Sequence, residues 1–239
     1  MLNRISAQKL QLLALILLVV YPVVILLART GIWHFRNSFL IMIFTAIVAF
    51  VVLILAIFKL SRGVEGEGKP LILSMLATAV PLVILGNYIA LGQTRPFIHD
   101  ITTDFSNPPA LVVAAELRGA DDHPVTYEGG DVATAQQEGY PDLKPLLLNG
   151  TPQEVFAQAK QTIEDMGWEL VGSQNETLPY TLEAVHTSTL FGFKDDIAVR
   201  ISENEAGVRI DMRSKSRVGK SDLGANADRI EAFFEALGQ

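Results

Sequence analysis

The sequence predicts a membrane-anchored α+β protein: three transmembrane helices followed by a β-α-β4-α domain, an antiparallel sheet with two helices on one face. Three observations predict it. Residues 1–91 contain three apolar runs of membrane-spanning length. The charge balance reverses after them, from +5 over residues 1–91 to −12 over residues 92–239. From Leu143 onward, period-two and helical-period hydrophobic patterns follow one another in a regular order.

Composition supports the anchor. Of 239 residues, 49 % are hydrophobic and only 19 % charged, and the mean hydropathy is +0.31. The chain has no cysteine. That excludes a disulfide scaffold, thiolate zinc sites, iron–sulfur ligation and thiol nucleophiles. The acidic second part argues against nucleic acid as a partner, because phosphate binding needs positive surface. No cofactor is implied.

The anchor spans residues 1–92, with helices at about 10–27, 39–60 and 71–91. Crossing a hydrocarbon core of about 30 Å takes roughly 20 residues. None of the runs shows the polar stripe of a soluble buried helix. Pro22 and Pro81 lie inside the first and third runs, where membrane helices tolerate them as bends. The first run is longer than a signal-peptide core and lacks a small-residue cleavage site, so it is read as retained. Arg4, Lys9, Lys59, Arg62 and Lys69 flank one side, against Arg29, Arg36 and Arg95 on the other. This bias puts the N-terminus in the cytoplasm and the acidic domain in the periplasm, with the bacterial inner (cytoplasmic) membrane as the expected site. Trp33 then falls in an outer loop at the interface. Asn87 is the strong hydrogen-bonding side chain inside a span, and it either joins the helices of the chain or binds a partner subunit.

Residues 93–142 read as an extended juxtamembrane segment packing on the domain, broken by Pro96, Pro108, Pro109, Pro124 and Pro141. Short helices are expected at Ala110–Leu117 and Asp131–Glu138. The α+β domain occupies 143–239. Lys144–Leu148 reads as a strand. Thr151-Pro152-Gln153-Glu154 is a capping box with proline at the first helical position. Val155, Phe156, Ala159, Ile163 and Met166 recur at helical spacing, and Gly167 ends that helix. Strands follow at Trp168–Val171, Tyr180–Thr187, Asp196–Ile201 and Val208–Arg217. Ser221 is expected to cap a last helix whose apolar face is Leu223, Ala227, Ile230, Phe234 and Leu237. This order matches TBP-like and helix-grip folds as topology, which carries no function by itself.

Several strings occur together: Ile98-His99-Asp100-Ile101-Thr102-Thr103-Asp104, Asn107-Pro108-Pro109, Tyr140-Pro141-Asp142, Phe191-Gly192-Phe193-Lys194-Asp195-Asp196, and Arg213-Ser214-Lys215-Ser216-Arg217-Val218-Gly219 leading into Asp222-Leu223-Gly224-Ala225-Asn226. Over residues 96–237 the chain thereby resembles the domain of unknown function 1499 family of bacterial membrane and periplasmic proteins and of plastids. The resemblance names the domain and leaves its chemistry open.

Among candidate site residues, a basic set stands out. Arg213, Lys215 and Arg217 alternate along one strand and so share a face, with Arg200 in phase on the preceding strand and Lys220 at the following turn. They form either a site for an anion, such as a lipid headgroup, or a solvated face of cross-strand ion pairs with Asp195, Asp196, Asp211 and Glu183. Asp222 and Asn226 open the last helix, as an anion cradle or as a cap and a loop contact. His99, Asp100 and Asp104 offer a metal an imidazole and two carboxylates, or cap turns. Phe191-Gly192-Phe193 is a bulge or an apolar lip. No catalytic set emerges. The function expected is a non-catalytic, membrane-anchored periplasmic domain that binds a partner protein or scaffolds an envelope complex. The alternatives are a binder of a lipid or other amphiphile in a helix-grip-like cavity, and an envelope hydrolase or transferase. The lipid bilayer, a protein partner or membrane complex, and an anionic lipid are the partners expected.

Overall fold

The computed structural model describes residues 6–238. Arg4, used in the charge-bias argument, lies outside the described residues. The chain divides into two compact units. One comprises the chain up to Ala90 together with Thr189–Gly192, and the other Leu91–Ser188 and the chain from Phe193 on.

The first unit contains α1 (Ala7–Arg29), α2 (Phe35–Ser61) and α3 (Gly68–Thr94), each long and apolar enough to cross a membrane. All three run past the apolar stretches into polar flanks, and side-chain caps form at the starts of α1 and α2. The Ser6 side chain accepts from Lys9 N–H, and His34 Nδ1 accepts from Arg36 N–H. Ala7, Leu10, Ala14 and Leu17 of α1 form one cluster with Ala49, Val52 and Ala56 of α2 and with Leu71 and Ala77 of α3. The alanines permit the close backbone approach that packing in lipid requires. Tyr21 joins the three helices, because its hydroxyl lies within donating distance of the Met42 carbonyl (3.0 Å) and the Pro81 carbonyl (3.3 Å). Ser38 donates to the Val24 carbonyl. Asn87 plays no such part: it is exposed on α3. The first of the two roles considered for it, joining helices of this chain, is not what the structure contains.

The second unit is built on a six-stranded, open antiparallel sheet. The strands are β1 (Asp100–Thr102), β2 (Leu146–Leu148), β3 (Glu169–Gln174), β4 (Tyr180–Thr187), β5 (Lys194–Asn204) and β6 (Gly207–Ser216). Their order is β1-β6-β5-β4-β3, with β2 also paired to β6. β2 covers one end of β6 through Leu146↔Ile210, and β1 the other through Asp100↔Lys215. The helices are α4 (Val113–Glu116), α5 (Gly130–Gly139), α6 (Pro152–Asp165) and α7 (Ala225–Leu237).

The β-α-β4-α order is present, with β1 added ahead of it. Three residues buried throughout show no alternation, so β1 carries no periodic signal. Its outer edge is closed by a side chain. The Gln136 amide accepts from Thr102 N–H (3.1 Å) and donates to the Thr102 carbonyl (2.7 Å). The capping box of α6 forms as written in the sequence: Thr151 accepts from Glu154 N–H, and the Glu154 carboxylate accepts from Thr151 N–H.

α6 and α7 cover one face of the sheet. Val155, Phe156, Ala159 and Ile163 of α6 and Ala227, Ile230, Phe233 and Leu237 of α7 pack on Leu182, Ile197, Val199, Ile201, Ile210 and Met212. Two details of α7 differ from expectation. Ser221 does not cap it. The helix starts at Ala225 after Gly224 in the left-handed region (φ 91°), and the Asp222 carboxylate accepts from Gly224 N–H (2.8 Å) and Asn226 N–H (3.0 Å). The buried face also differs: Phe233 is fully buried while Phe234 is only partly buried.

Phe233 stacks on Trp168 with ring centroids 5.7 Å apart. Removing a fully buried phenylalanine side chain costs about 3–5 kcal/mol. Phe233→Ala should therefore shift the denaturant midpoint, read by Trp168 fluorescence, far more than Phe234→Ala.

Candidate functional site

Strand alternation puts Asp196, Ala198 and Arg200 of β5 and Asp211, Arg213 and Lys215 of β6 on the face away from α6 and α7. Register makes Asp196↔Lys215, Ala198↔Arg213 and Arg200↔Asp211 neighbours. Residues 103–128, which we call the strap, meet this face. Leu111 and Ala114 of the strap pack on Ala198. Around that contact the layer is charged.

Its centre is Asp100. Arg213 Nε and Nη2 donate to its two oxygens at 2.9 and 2.8 Å, and Lys215 Nζ donates at 2.9 Å. The remaining donors reach strap backbone: Arg213 to the Val125 carbonyl (2.7 Å) and Lys215 to the Thr126 carbonyl (3.0 Å). Asp196 is a second centre. It accepts from Arg118 of the strap (2.7 Å) and from Arg217 (2.7 Å). Arg118 also donates to the His123 carbonyl, and Arg217 to the Leu117 carbonyl (2.9 Å). Glu183 of β4 accepts from Val113 and Ala114 N–H, both at 3.0 Å, and fixes the start of α4. At the far end Arg200 donates to Asp104 (2.8 Å), Asp211 (2.9 Å) and the Asn107 carbonyl (2.7 Å). Arg209 donates to Asp211 as well.

The residues singled out by sequence thus fall in different places. Arg213, Lys215 and Arg217 are buried, and Arg200 is nearly so. They do pair with carboxylates, yet the face is enclosed by the strap and not solvated. Lys220 is exposed and makes no ion pair among the described residues. Asp222 caps α7, and burial raises its pKa above the ordinary carboxylate value. Asn226 is fully buried, donates to the His99 carbonyl (3.1 Å) and accepts from Ser214 (2.7 Å). Beside it Arg229 donates to Asp195 (2.6 Å) and to His186 Nδ1 (3.0 Å).

His99, Asp100 and Asp104 do not converge. Asp100 serves Arg213 and Lys215. Asp104 accepts from Ser106 and Asn107 N–H; burial alone would raise its pKa, but these hydrogen bonds hold it below the ordinary value. No group of three or more potential metal ligands occurs among the described residues. His99 instead stacks on His123 of the strap at 4.2 Å, and His123 Nε2 meets the Gly219 carbonyl (2.8 Å). Burial, then the neighbouring His123 and Lys215, lower the pKa of His99, against the opposing pull of Glu128 and Asp100. Burial, with the charge of Asp100, also pushes the Tyr127 phenol up to about 12.

Sequence reasoning missed Asp100 as the partner of the basic residues, and Arg118 altogether. The spacing of more than a hundred residues between Asp100 and Arg213 hides the pair, because only the β1–β6 register joins them.

Fold and site together define a membrane-anchored α+β domain whose outer sheet face is a sealed layer of ion pairs. Residues 100–237 match the family described as Protein of unknown function (DUF1499), and the chain belongs to that family. A comparison with curated proteins finds no match.

Breaking a buried pair by removing one partner costs roughly 3–5 kcal/mol, because the remaining charge stays buried. Asp100→Asn should destabilise the unit by that order and expose the strap to limited proteolysis near Val125 and Thr126.

Burial of His99 gives a pH signature. His99 titrates near its ordinary value of 6.5 when unfolded and lower when folded, so the unfolded state binds more protons in between. Stability from this group is complete above 6.5 and is lost as the pH falls below it. Denaturation at a series of pH values should show that decline, and His99→Phe should flatten it.

Proposed function

We propose that the chain is a non-catalytic, membrane-anchored domain that binds a partner protein and scaffolds a membrane complex of the bacterial cell envelope. One observation carries this reading. Arg200, Arg213 and Arg217, together with Lys215, are engaged by Asp100, Asp104, Asp196 and Asp211 and tie down the strap. A catalytic acid or base must reach a substrate and exchange a proton with it. A charge closed into a buried bidentate pair is held in place by its partner and serves position instead.

The strap so fixed presents Val112 (63 % exposed) and Leu117 (48 % exposed) to the surroundings. Apolar side chains on a backbone already ordered lose little entropy on association, which favours a protein contact. The amphiphile-binding alternative calls for space between sheet and helices, where Ile163, Ile197, Ile230 and Phe233 are fully buried. Lys/Arg bias supports a cytoplasmic N-terminus and a periplasmic α+β unit in the inner membrane.

A photo-crosslinking residue at Val112 or Leu117 of the full chain in cells should yield a discrete protein adduct. The double change Val112→Asp, Leu117→Asp should abolish co-purification of that protein with no shift in melting. Native mass spectrometry showing a bound lipid and no protein would instead favour the amphiphile reading. A C-terminal alkaline phosphatase fusion should be active, and an inactive one would reverse the orientation.

A further inference from the structure

The tip of the β4–β5 hairpin belongs to the helical unit. Thr189–Gly192 group with the spans rather than with the sheet. Arg29, the last residue of α1, donates through Nη1 to the Thr189 carbonyl. Phe191 is buried, and its ring centroid lies 5.0 Å from that of Phe39 on α2. Gly192 turns the chain back in the left-handed region (φ 71°), and a Cβ there would stand 3.4 Å from Arg29 Cγ. Behind the tip Ser188 N–H donates to the Phe193 carbonyl (2.8 Å), and Phe193 N–H to the Ser188 hydroxyl (2.9 Å). The Phe191-Gly192-Phe193 string thus closes a turn pinned between the end of α1 and the start of α2.

Those helix ends fix how deep the turn sits. The apolar run of α1 stops at Leu27, and that of α2 starts at Phe39. Phe39 is four residues, or about 6 Å, inside the start of α2. A ring packed on it lies where hydrocarbon gives way to headgroups. Leu190 stands between the two held residues Thr189 and Phe191 and is 56 % exposed, so it projects at that level. Ile32, in the turn between α1 and α2, is exposed too. Arg29 and Arg36 flank that turn, and residues 29–38 and 187–194 contain no carboxylate, in a chain of net charge −7. Apolar side chains set among cations match the boundary layer of a phospholipid bilayer, with acyl chains for the leucine and isoleucine and phosphates for the arginines. The surface is also continuous with the lipid-facing side of the anchor, because α2 exposes Leu40 directly after Phe39 and Phe44 about one turn deeper.

We propose that the 189–192 turn is a membrane contact additional to the spans: a wedge whose Leu190 enters the headgroup boundary of the bilayer that α1 and α2 cross, with phospholipid as its partner. The inference concerns this turn alone and stands whether or not Val112 and Leu117 meet a partner protein.

The chain has no cysteine, so a single nitroxide label reports one position. Leu190 is exposed, so Leu190→Cys removes no core contact. The labelled full chain would be reconstituted in vesicles of phosphatidylcholine and phosphatidylglycerol. Collisions of the nitroxide with oxygen, which concentrates in hydrocarbon, would be compared with those of a nickel chelate confined to water. Phe44→Cys on α2 marks the hydrocarbon, and Leu147→Cys and Leu178→Cys, both exposed on the α+β unit, mark water. We expect an oxygen-to-nickel ratio at position 190 several-fold above those at 147 and 178 and below that at 44. A ratio equal to those at 147 and 178 would put the turn in water. Low collision with both reagents would mean that protein covers it. Either result would overturn the proposal, whereas loss of the Val112 or Leu117 adduct would bear on the partner reading alone.

Discussion

Asp100 has no solvent exposure, and its two oxygens receive an arginine and a lysine from the adjacent strand. Much of the α+β unit follows from that arrangement. The carboxylate pairs with both Arg213 and Lys215, with Glu128 also 3.7 Å from Lys215, and their spare N–H groups reach carbonyls of the strap. Asp196 repeats the design with Arg118 and Arg217. The sheet thereby has two unlike faces. One is closed by apolar packing of α6 and α7, the other by charge on a backbone segment. Replacing such pairs by apolar residues is often neutral for stability, whereas leaving one member unpaired is not. The layer is thus better understood as fixing where the strap lies than as a net source of stability.

The local signals in the sequence carried over well where a single element generates them. The capping box at Thr151, the alternation of Val208, Ile210 and Met212, and the apolar runs of the anchor each arise within one stretch of chain, and each appears in the structure. Features that need two distant stretches were not legible. β1 is too short to alternate, and its place is set by pairing with β6. The alternation of Arg213, Lys215 and Arg217 correctly put them on one face, but alternation says nothing about what covers that face. The one-residue difference at Phe233 and Phe234 has a similar origin. Four-and-three spacing fits both, and only the packing of α7 on the rest of the core distinguishes them.

The strings that carry the family resemblance coincide with this framework. Asp100 and Asp104, Asp195 and Asp196, Arg213 through Arg217, and Asp222 through Asn226 are members of the charge layer or of the polar cluster at its end. Their residue types are those that chemistry at a site would use, which is why the sequence alone offers them as an anion or metal site. In the structure they bond to one another, to the strap or to the start of α7. Thr102 and Gln136 extend the same logic to the sheet edge, where a side-chain amide stands in for a neighbouring strand.

The central claim is that the buried charges hold the strap in place. Hydrogen exchange of the full chain, native against Asp196→Asn, tests it most directly. Within the strap, Val113 and Ala114 N–H are held by Glu183, and His123 N–H by the Arg217 carbonyl. The account predicts faster exchange at these three amides while the amides of β4 and β5 keep their protection. Unchanged exchange in the strap, or an equal loss across strap and sheet, would contradict it.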